Sequence, residues 1–358
     1  MLPDQFKMKV DNQVFKTMCV VDTSNASWKN QKQPLSFFDD VRTRISSNAH
    51  MDDAFKSSLT DRLKTLSQSS LNILVVGSQG VGKTATLTQL FGQHDWDHDA
   101  IQSSSALIRH ELNQLTCWEG LLPSESENPE QADCEISALL SETAANGLPL
   151  VDLVLVVLDS SSANIDNAYV DIQRTLIAKL GEHAEQRLVV LMNKVDKVAQ
   201  CIRGEDVEDI ECIEEMMPLD AEVWLDCTSA AIRFHLRENA GIHITPVPYS
   251  AVAVQKGDAV RSYNLIKLMA RLMVALPPEK RLMLLNQPLS QGDDTWRYHD
   301  ERKIYMRSIE NLCFDSLHRG ARDGDRFGGQ LGAFLGRHGR ALGDIVSDGL
   351  RKQFGTSV

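Results

Sequence analysis

The sequence predicts an α/β fold, a three-layer sandwich around a mostly parallel sheet, with helical N- and C-terminal extensions. Three features carry that expectation. A short apolar run, Leu71 to Val76 (LNILVV), ends in a glycine-rich loop and passes straight into helical composition from Lys83 to Phe91. Apolar runs of strand length then alternate with helical stretches, as expected of parallel strands covered on both faces. Both flanks of this region drop the strand pattern and read as helix.

Taken in order, residues 1–34 are polar and aperiodic, whereas 35–67 carry helical spacing with Phe55, Leu59, Leu63 and Leu66 on one face. After the strand–loop–helix unit, strands are expected at Ala106 to Leu112, Gln114 to Trp118, Val151 to Leu158, Arg187 to Met192 and Ile242 to Tyr249, with a helical segment from Ile165 to Leu180. Segment 121–132 (LLPSESENPEQA) is acidic and loop-like, which predicts a mobile surface element. Residues 197–240 read as an acidic helical insertion, and beyond Pro277-Pro278 the sheet pattern stops. The expected partition is a mostly helical extension (1–70), a central α/β domain (71–277) and a helical C-terminal region (278–358) with a Gly-rich tail.

At 358 residues the chain has room for one domain with a sizeable core plus accessories. Its 42% hydrophobic and 24% charged residues are those of a soluble globular protein. The net charge of -12 argues against a broad nucleic-acid footprint, although a local basic patch is compatible with it. Seven scattered cysteines without CxxC or zinc spacing read as reduced thiols. The N-terminus has no signal-peptide apolar stretch, and no run is long enough to span a bilayer, so the expected location is cytoplasmic.

The segment Gly77-Ser78-Gln79-Gly80-Val81-Gly82-Lys83-Thr84 is a GxxxxGK[ST] phosphate loop in the required context, after a buried strand and opening a helix. Its glycines let successive backbone N–H groups converge on an anion at a helix N-terminus. Lys83 adds a point charge between the β- and γ-phosphates, and the Thr84 hydroxyl is the candidate Mg²⁺ ligand. Ala85, next along the helix start, completes the phosphate-side candidates. Asn193-Lys194-Val195-Asp196 follows the apolar strand LVVLM. There the Asp196 carboxylate can accept from guanine N1–H and the exocyclic amine, Asn193 can bond the base edge, and the Lys194 stem can lie along the ring. Adenine offers no such donor pair. Ser250-Ala251, ending HITPVPYSA, can present backbone N–H groups to the guanine carbonyl.

In this order and spacing the three motifs resemble the translation-factor-class GTPases, most closely the Era-like group. Within that group the pattern looks like the prophage- and genomic-island-borne Era-like GTPases described as ribosome-binding. The resemblance covers about residues 55–280 and ends with the stretch SAVAVQKGDAVRSYNLIKLMARLMVALPP. It implies a P-loop GTPase-type sandwich, GTP/GDP and Mg²⁺ as cofactors, and a switch that hydrolyses GTP to GDP and phosphate. A protein effector or ribosome-associated partner is implied as well.

The family's third motif, WDxPG, is degenerate here, since the strand ends Thr116-Cys117-Trp118-Glu119-Gly120-Leu121. Aligning the glycine puts Cys117 at the aspartate position. Aligning the tryptophan puts Glu119 there, and Glu119 is the preferred candidate beside Lys83 for a catalytic role, because a carboxylate one methylene longer can still reach a metal-bound water. The bland alternative makes Trp118 a packing residue and Glu119 a solvated one. Leu121 stands where a water-orienting glutamine would follow Gly120, and Gly80 where potassium-activated relatives carry asparagine, so slow turnover is expected. Ser103, Ser104 and Ser105 are the only hydroxyls in reach of the switch-threonine role. Asp159 admits a rival reading as the Walker B aspartate of an ATPase, which would leave NKVD without a role. A guanine-nucleotide scaffold without turnover is a further alternative.

In the tail, Gly328, Gly332 and Gly336 recur every four residues, and Gly339 and Gly343 repeat the spacing. Each glycine costs a helix about 1 kcal/mol relative to alanine, so a helix here needs a partner. The candidates are the chain's own N-terminal helices, a second copy in a homodimer, or a membrane surface. Arg337, Arg340, Arg351 and Lys352 favour an anionic bilayer and peripheral attachment to its inner face, whereas Asp344 and Asp348 weaken that attraction. Packing within the chain or a dimer is the preferred expectation.

Overall fold

The computed structural model describes residues 37–92, 105–112, 114–162, 166–203, 219–256, 259–286, 293–295, 299–322 and 330–354. The expectations for residues 1–34, Ser103, Ser104 and Gly328 lie outside them. Two helices, α1 (Phe37–Ser47) and α2 (Asp53–Ser67), lead into β1 (Leu71–Gly77), the glycine loop and α3 (Lys83–Phe91). Next come β2 (Leu107–Leu112), β3 (Leu115–Leu121), α4 (Pro129–Ser141) and β4 (Leu153–Asp159). A broken helical run follows, α5 (Asp166–Asp171), a π-helical stretch Ile172–Ile177, α6 (Ala178–Leu180) and α7 (Ala184–Arg187), before β5 (Leu188–Asn193). Beyond it lie α8 (Val195–Arg203), α9 (Leu219–Ala240), β6 (Val247–Pro248), β7 (Ser250–Lys256), β8 (Ala259–Tyr263) and α10 (Leu265–Ala275). The chain closes with β9 (Asp293–Thr295), α11 (His299–Arg322) and α12 (Gln330–Gln353).

Six strands form the main sheet in the order β2-β3-β1-β4-β5-β6, and only β2 runs antiparallel to its neighbour. With the glycine loop after β1 and helices on both faces, this is a three-layer α/β sandwich around a mostly parallel sheet. The strand order reverses direction at β1, so the loop that follows it opens into the crevice where α/β sheets bind ligands.

The central strands are apolar throughout because both sides of the sheet are covered. Ile73, Val75, Cys117, Leu155, Val157, Val189 and Leu191 face α3 and α10, together with α1, α2, α11 and α12. Leu74, Val76, Trp118, Val154, Val156, Val190 and Met192 face α4, α5, α8 and α9. Strand parity therefore puts Trp118 in the second core and the side chains of Cys117 and Glu119 on the α3 side. Helix α2 starts where the Asp52 carboxylate accepts from the Phe55 amide at 2.8 Å, and it buries Phe55, Leu59, Leu63 and Leu66.

Three local expectations change, and the preferred packing of the tail takes a definite form. The predicted strand Ile242 to Tyr249 shrinks to Val247–Pro248, and Ser250 opens a separate three-stranded sheet, β7-β8-β9. That places a short strand beyond Pro277-Pro278 in a region read as wholly helical. The stretch read as an acidic loop contains the start of α4, with the Asn128 side chain accepting from the Gln131 amide and Pro129 in the first turn. The tail helix packs on α1 and α11 of the same chain, and among its glycines whose surroundings are described Gly349 makes the closest contact. A Cβ there would lie 3.2 Å from Phe37 Cε2, whereas one on Gly343 would meet nothing within 4 Å. Arg44 pairs with Asp348 at 3.1 Å and Lys352 with Asp40 at 2.7 Å across this contact.

Candidate functional site

The glycine loop owes its shape to two left-handed residues, Gly80 at φ 72° and Gly82 at φ 93°. Gly82 caps α3 without any side-chain hydrogen bond, so the first amides of that helix are not taken by a capping group and suit an anion. Its lack of a side chain is required twice over, because a Cβ at Gly82 would lie 2.3 Å from Asn193 Nδ2. Gly77 is equally constrained, a Cβ there lying 2.4 Å from the Val157 carbonyl oxygen. Ser78, Gln79 and Val81 complete the loop.

Lys83 is buried, and its ammonium donates to the Gly77 carbonyl at 3.2 Å and the Ser78 carbonyl at 2.9 Å. Burial pulls its pKa below the ordinary lysine value, opposed by the charges of Glu119 and Glu125. A buried ammonium held only by neutral carbonyls is poised to gain from an arriving phosphate.

Thr84, one residue on, donates its hydroxyl to the Glu119 carboxylate, 2.9 Å from Oε1 and 3.0 Å from Oε2. Register explains this contact. Glu119 pairs with Val75 near the C-terminal end of β1, whereas Cys117 pairs with Ile73 in mid-sheet. Cys117 is fully buried, and burial pushes its thiol well above the usual range, so it stays neutral in the core. Glu119 is half-buried, with its side chain 14% exposed. Desolvation would raise its pKa, but the nearby His110 imidazole, the Thr84 hydroxyl and the Lys83 charge outweigh that and hold it below the usual carboxylate value. The solvated alternative for Glu119 does not describe this geometry. Two hard oxygen groups side by side at a phosphate loop suit Mg²⁺, which takes one or two protein oxygens and fills its shell with phosphate and water.

Asn193, expected at the base edge, directs both ends of its amide into the protein. Nδ2 donates to the Val81 carbonyl at 2.7 Å and Oδ1 accepts from the Ala251 amide at 2.9 Å, so one side chain ties the phosphate loop to the Ser250-Ala251 turn. Asp196 accepts from the Ser250 hydroxyl at 2.6 Å. Lys194 adopts φ 65°, a left-handed conformation costing a non-glycine residue about 1 kcal/mol or more, and its ammonium bonds Asp159 at 2.6 Å. Asp159 also accepts from the Ser161 amide and hydroxyl, and these partners hold its carboxyl below the usual value against desolvation. Behind the motif, the Tyr249 hydroxyl and Thr86 Oγ1 share a buried hydrogen bond.

Of the switch serines, Ser105 is described, and its hydroxyl bonds Glu135 of α4 at 2.8 Å. Two contributors escaped the sequence reading. His110 lies on β2 with Nε2 3.8 Å from Glu119 Oε2, and Tyr249 sits directly before the Ser-Ala pair. The alternation of β2 could have aimed His110 at the loop, had its register with β3 been known. Among the described residues, no group of three or more His, Cys, Asp or Glu side chains could hold a metal by itself, and no helix is long and apolar enough to cross a membrane.

No protein-family model matches the chain, and no curated protein matches it in sequence. Solved structures similar to it include Toc33 from Arabidopsis thaliana in complex with Mg²⁺ and GMPPNP, at 14% identity over 75% of this chain and 97% of that one, with a TM-score of 0.34. A probable GTP-binding protein, engB, is similar at 18% identity over 57% of this chain and 97% of that one, with a TM-score of 0.32. The bacterial dynamin GTPase LeoA from ETEC is similar at 12% identity over 80% of this chain and 45% of that one, with a TM-score of 0.36. At such scores these likenesses bear on neither the site nor the activity, which rest on the geometry described above.

Proposed function

We propose that this chain binds guanine nucleotide with Mg²⁺ and acts as a slow GTPase of the switch type. The observation that carries the proposal is the bridge made by Asn193. It joins the phosphate loop at Val81 to the Ser250-Ala251 turn, whose serine in turn holds Asp196. A phosphate cradle and a carboxylate suited to the guanine N1–H and amine are thus parts of one hydrogen-bonded assembly.

In this reading the amides from Ser78 to Ala85 hold the phosphates, with Lys83 adding charge and Asp196 selecting the base. Thr84 and Glu119 supply the oxygens for Mg²⁺, which when bound would neutralise phosphate charge. Hydrolysis would be attack of water on the γ-phosphate, with catalysis from positioning and charge stabilisation. Leu121 has no group to orient that water, which favours slow turnover and keeps a binder without turnover as the second reading. The ATPase reading is disfavoured because the Asp159 carboxylate is already engaged by Lys194 and Ser161. Membrane attachment through the tail is likewise disfavoured, since Leu342, Ile345, Val346 and Leu350 are buried within the chain.

Titration with labelled GTP and ATP, followed by phosphate release with and without Mg²⁺, tests these readings. GTP should bind far more tightly than ATP and release phosphate only with Mg²⁺. Equal affinities would defeat the guanine assignment, and binding without release over hours would establish the second reading.

A further inference from the structure

We propose that His110 is a positioning residue for the nucleotide-associated Mg²⁺, acting through Glu119: from the edge strand it holds the Glu119 carboxylate against the Thr84 hydroxyl. The inference rests on the guanine-nucleotide reading above and deepens it by naming what lets a glutamate serve at this site.

The need arises from chain chemistry. Glutamate has one more rotatable bond than aspartate, so a carboxylate at the end of β3 has more freedom to lose before it can present an oxygen at a fixed point. Nothing in β3 itself supplies that restraint. The edge strand does. In the antiparallel register of β2 and β3, His110 lies directly opposite Cys117, which makes it the diagonal neighbour of Glu119 on the same face of the sheet. Its Nε2 stands 3.8 Å from Glu119 Oε2, with the His110 side chain 9% exposed. Thr84 approaches the same carboxylate from α3. The carboxylate thus lies between a helix hydroxyl and a strand imidazole, at a part-buried position. Residues that orient a metal-associated carboxylate from behind commonly matter about 10- to 100-fold to metal affinity.

A core histidine that merely fills space between the sheet and α3 would share this burial, so the test must separate packing from polarity. Dissociation of a fluorescent GDP is followed against free Mg²⁺ for the wild type, His110→Phe, His110→Gln, Glu119→Gln and the double variant His110→Phe/Glu119→Gln. Phenylalanine keeps the ring volume without the polar edge, and glutamine keeps a donor. For His110→Phe, the Mg²⁺ concentration that half-maximally retains nucleotide should rise by about tenfold or more. Affinity in EDTA should stay that of the wild type, and His110→Gln should stay within about threefold of the wild type. In the double variant the histidine change should add nothing to the Glu119→Gln shift, since its effect passes through that carboxylate.

The proposal is overturned if His110→Phe leaves the Mg²⁺ half-point unchanged while Glu119→Gln moves it. It is equally overturned if the two shifts add in full, or if His110→Gln shifts as far as His110→Phe. A wild type that binds GDP with no Mg²⁺ dependence defeats this inference and leaves the guanine reading standing. A wild type that binds no guanine nucleotide defeats both.

Discussion

The two ends of the site are built on different principles. At the base end every named side chain already has its partner: Asn193 between Val81 and Ala251, Asp196 with Ser250, and Lys194 with Asp159. At the phosphate end, the Glu119 carboxylate accepts from the Thr84 hydroxyl and stands 3.8 Å from His110 Nε2, two groups on separate elements. The base end is therefore tied together before any ligand arrives, which in the proposed reading would favour base selection. The phosphate end keeps charge and reach, with Leu121 after Gly120 where a water-orienting side chain would be expected. Such a difference suits tight, selective binding with slow turnover.

Breaking the base end should give the largest effect. Asp196→Asn replaces an acceptor with an amide that meets guanine's donors poorly, and preference for GTP over ATP should fall by up to about 10⁴, read by competition binding. Unchanged discrimination would remove Asp196 from base recognition. At the phosphate end, Lys83→Ala removes one charge-assisted contact, and affinity for both GDP and GTP should fall about 100-fold in direct titration. If the loss were confined to GTP, Lys83 would be reporting the γ-phosphate alone.

The next effect concerns the tie between the ends. Asn193→Ala strands the buried Val81 carbonyl and Ala251 amide, and urea denaturation of the nucleotide-free protein should show a loss of about 2 kcal/mol or more. A variant as stable as the wild type would mean that the two loops are joined by something other than this amide.

Acid should act on both ends by the smallest increments. Asp159 and Glu119 each have a folded-state pKa below the ordinary value. Each therefore stabilises the fold above its unfolded pKa, near 4, and that contribution is lost as pH falls through the lower folded value. Asp152 works in the opposite sense, because burial raises its carboxyl despite the Lys280 ion pair. Thermal unfolding of the nucleotide-free protein should be flat from pH 7 to about 5 and decline below about pH 4. Glu119→Gln and Asp159→Asn should each flatten that decline, and melting curves parallel to the wild type would exclude both carboxylates as its source.

The phosphate loop was legible because its chemistry is local. An apolar strand, glycines with left-handed φ, a lysine and a threonine sit within one short segment, and each acts through its own backbone or its neighbour's. The NKVD motif was legible as a position for the same reason, at the end of an apolar run. What Asn193 does was not, because its partners Val81 and Ala251 lie far off in the chain and meet only across the crevice. The sheet that starts at Ser250 was hidden by the apolar continuity of PVPYSAVAV, in which no residue marks the switch from one sheet to the next.

The sequence by itself determined the central strands up to β5, the glycine loop and the presence of a carboxylate suited to guanine, since hydrophobic period and glycine placement are encoded residue by residue. Only the tertiary structure set the surroundings of Cys117 and Glu119 apart. Both share one face of β3, and the register with β1 alone places the first in mid-sheet and the second at the strand's end beside Thr84. It also decided that the tail docks through Gly349 rather than Gly343, because helix faces are equivalent in sequence until a neighbour such as Phe37 covers one of them.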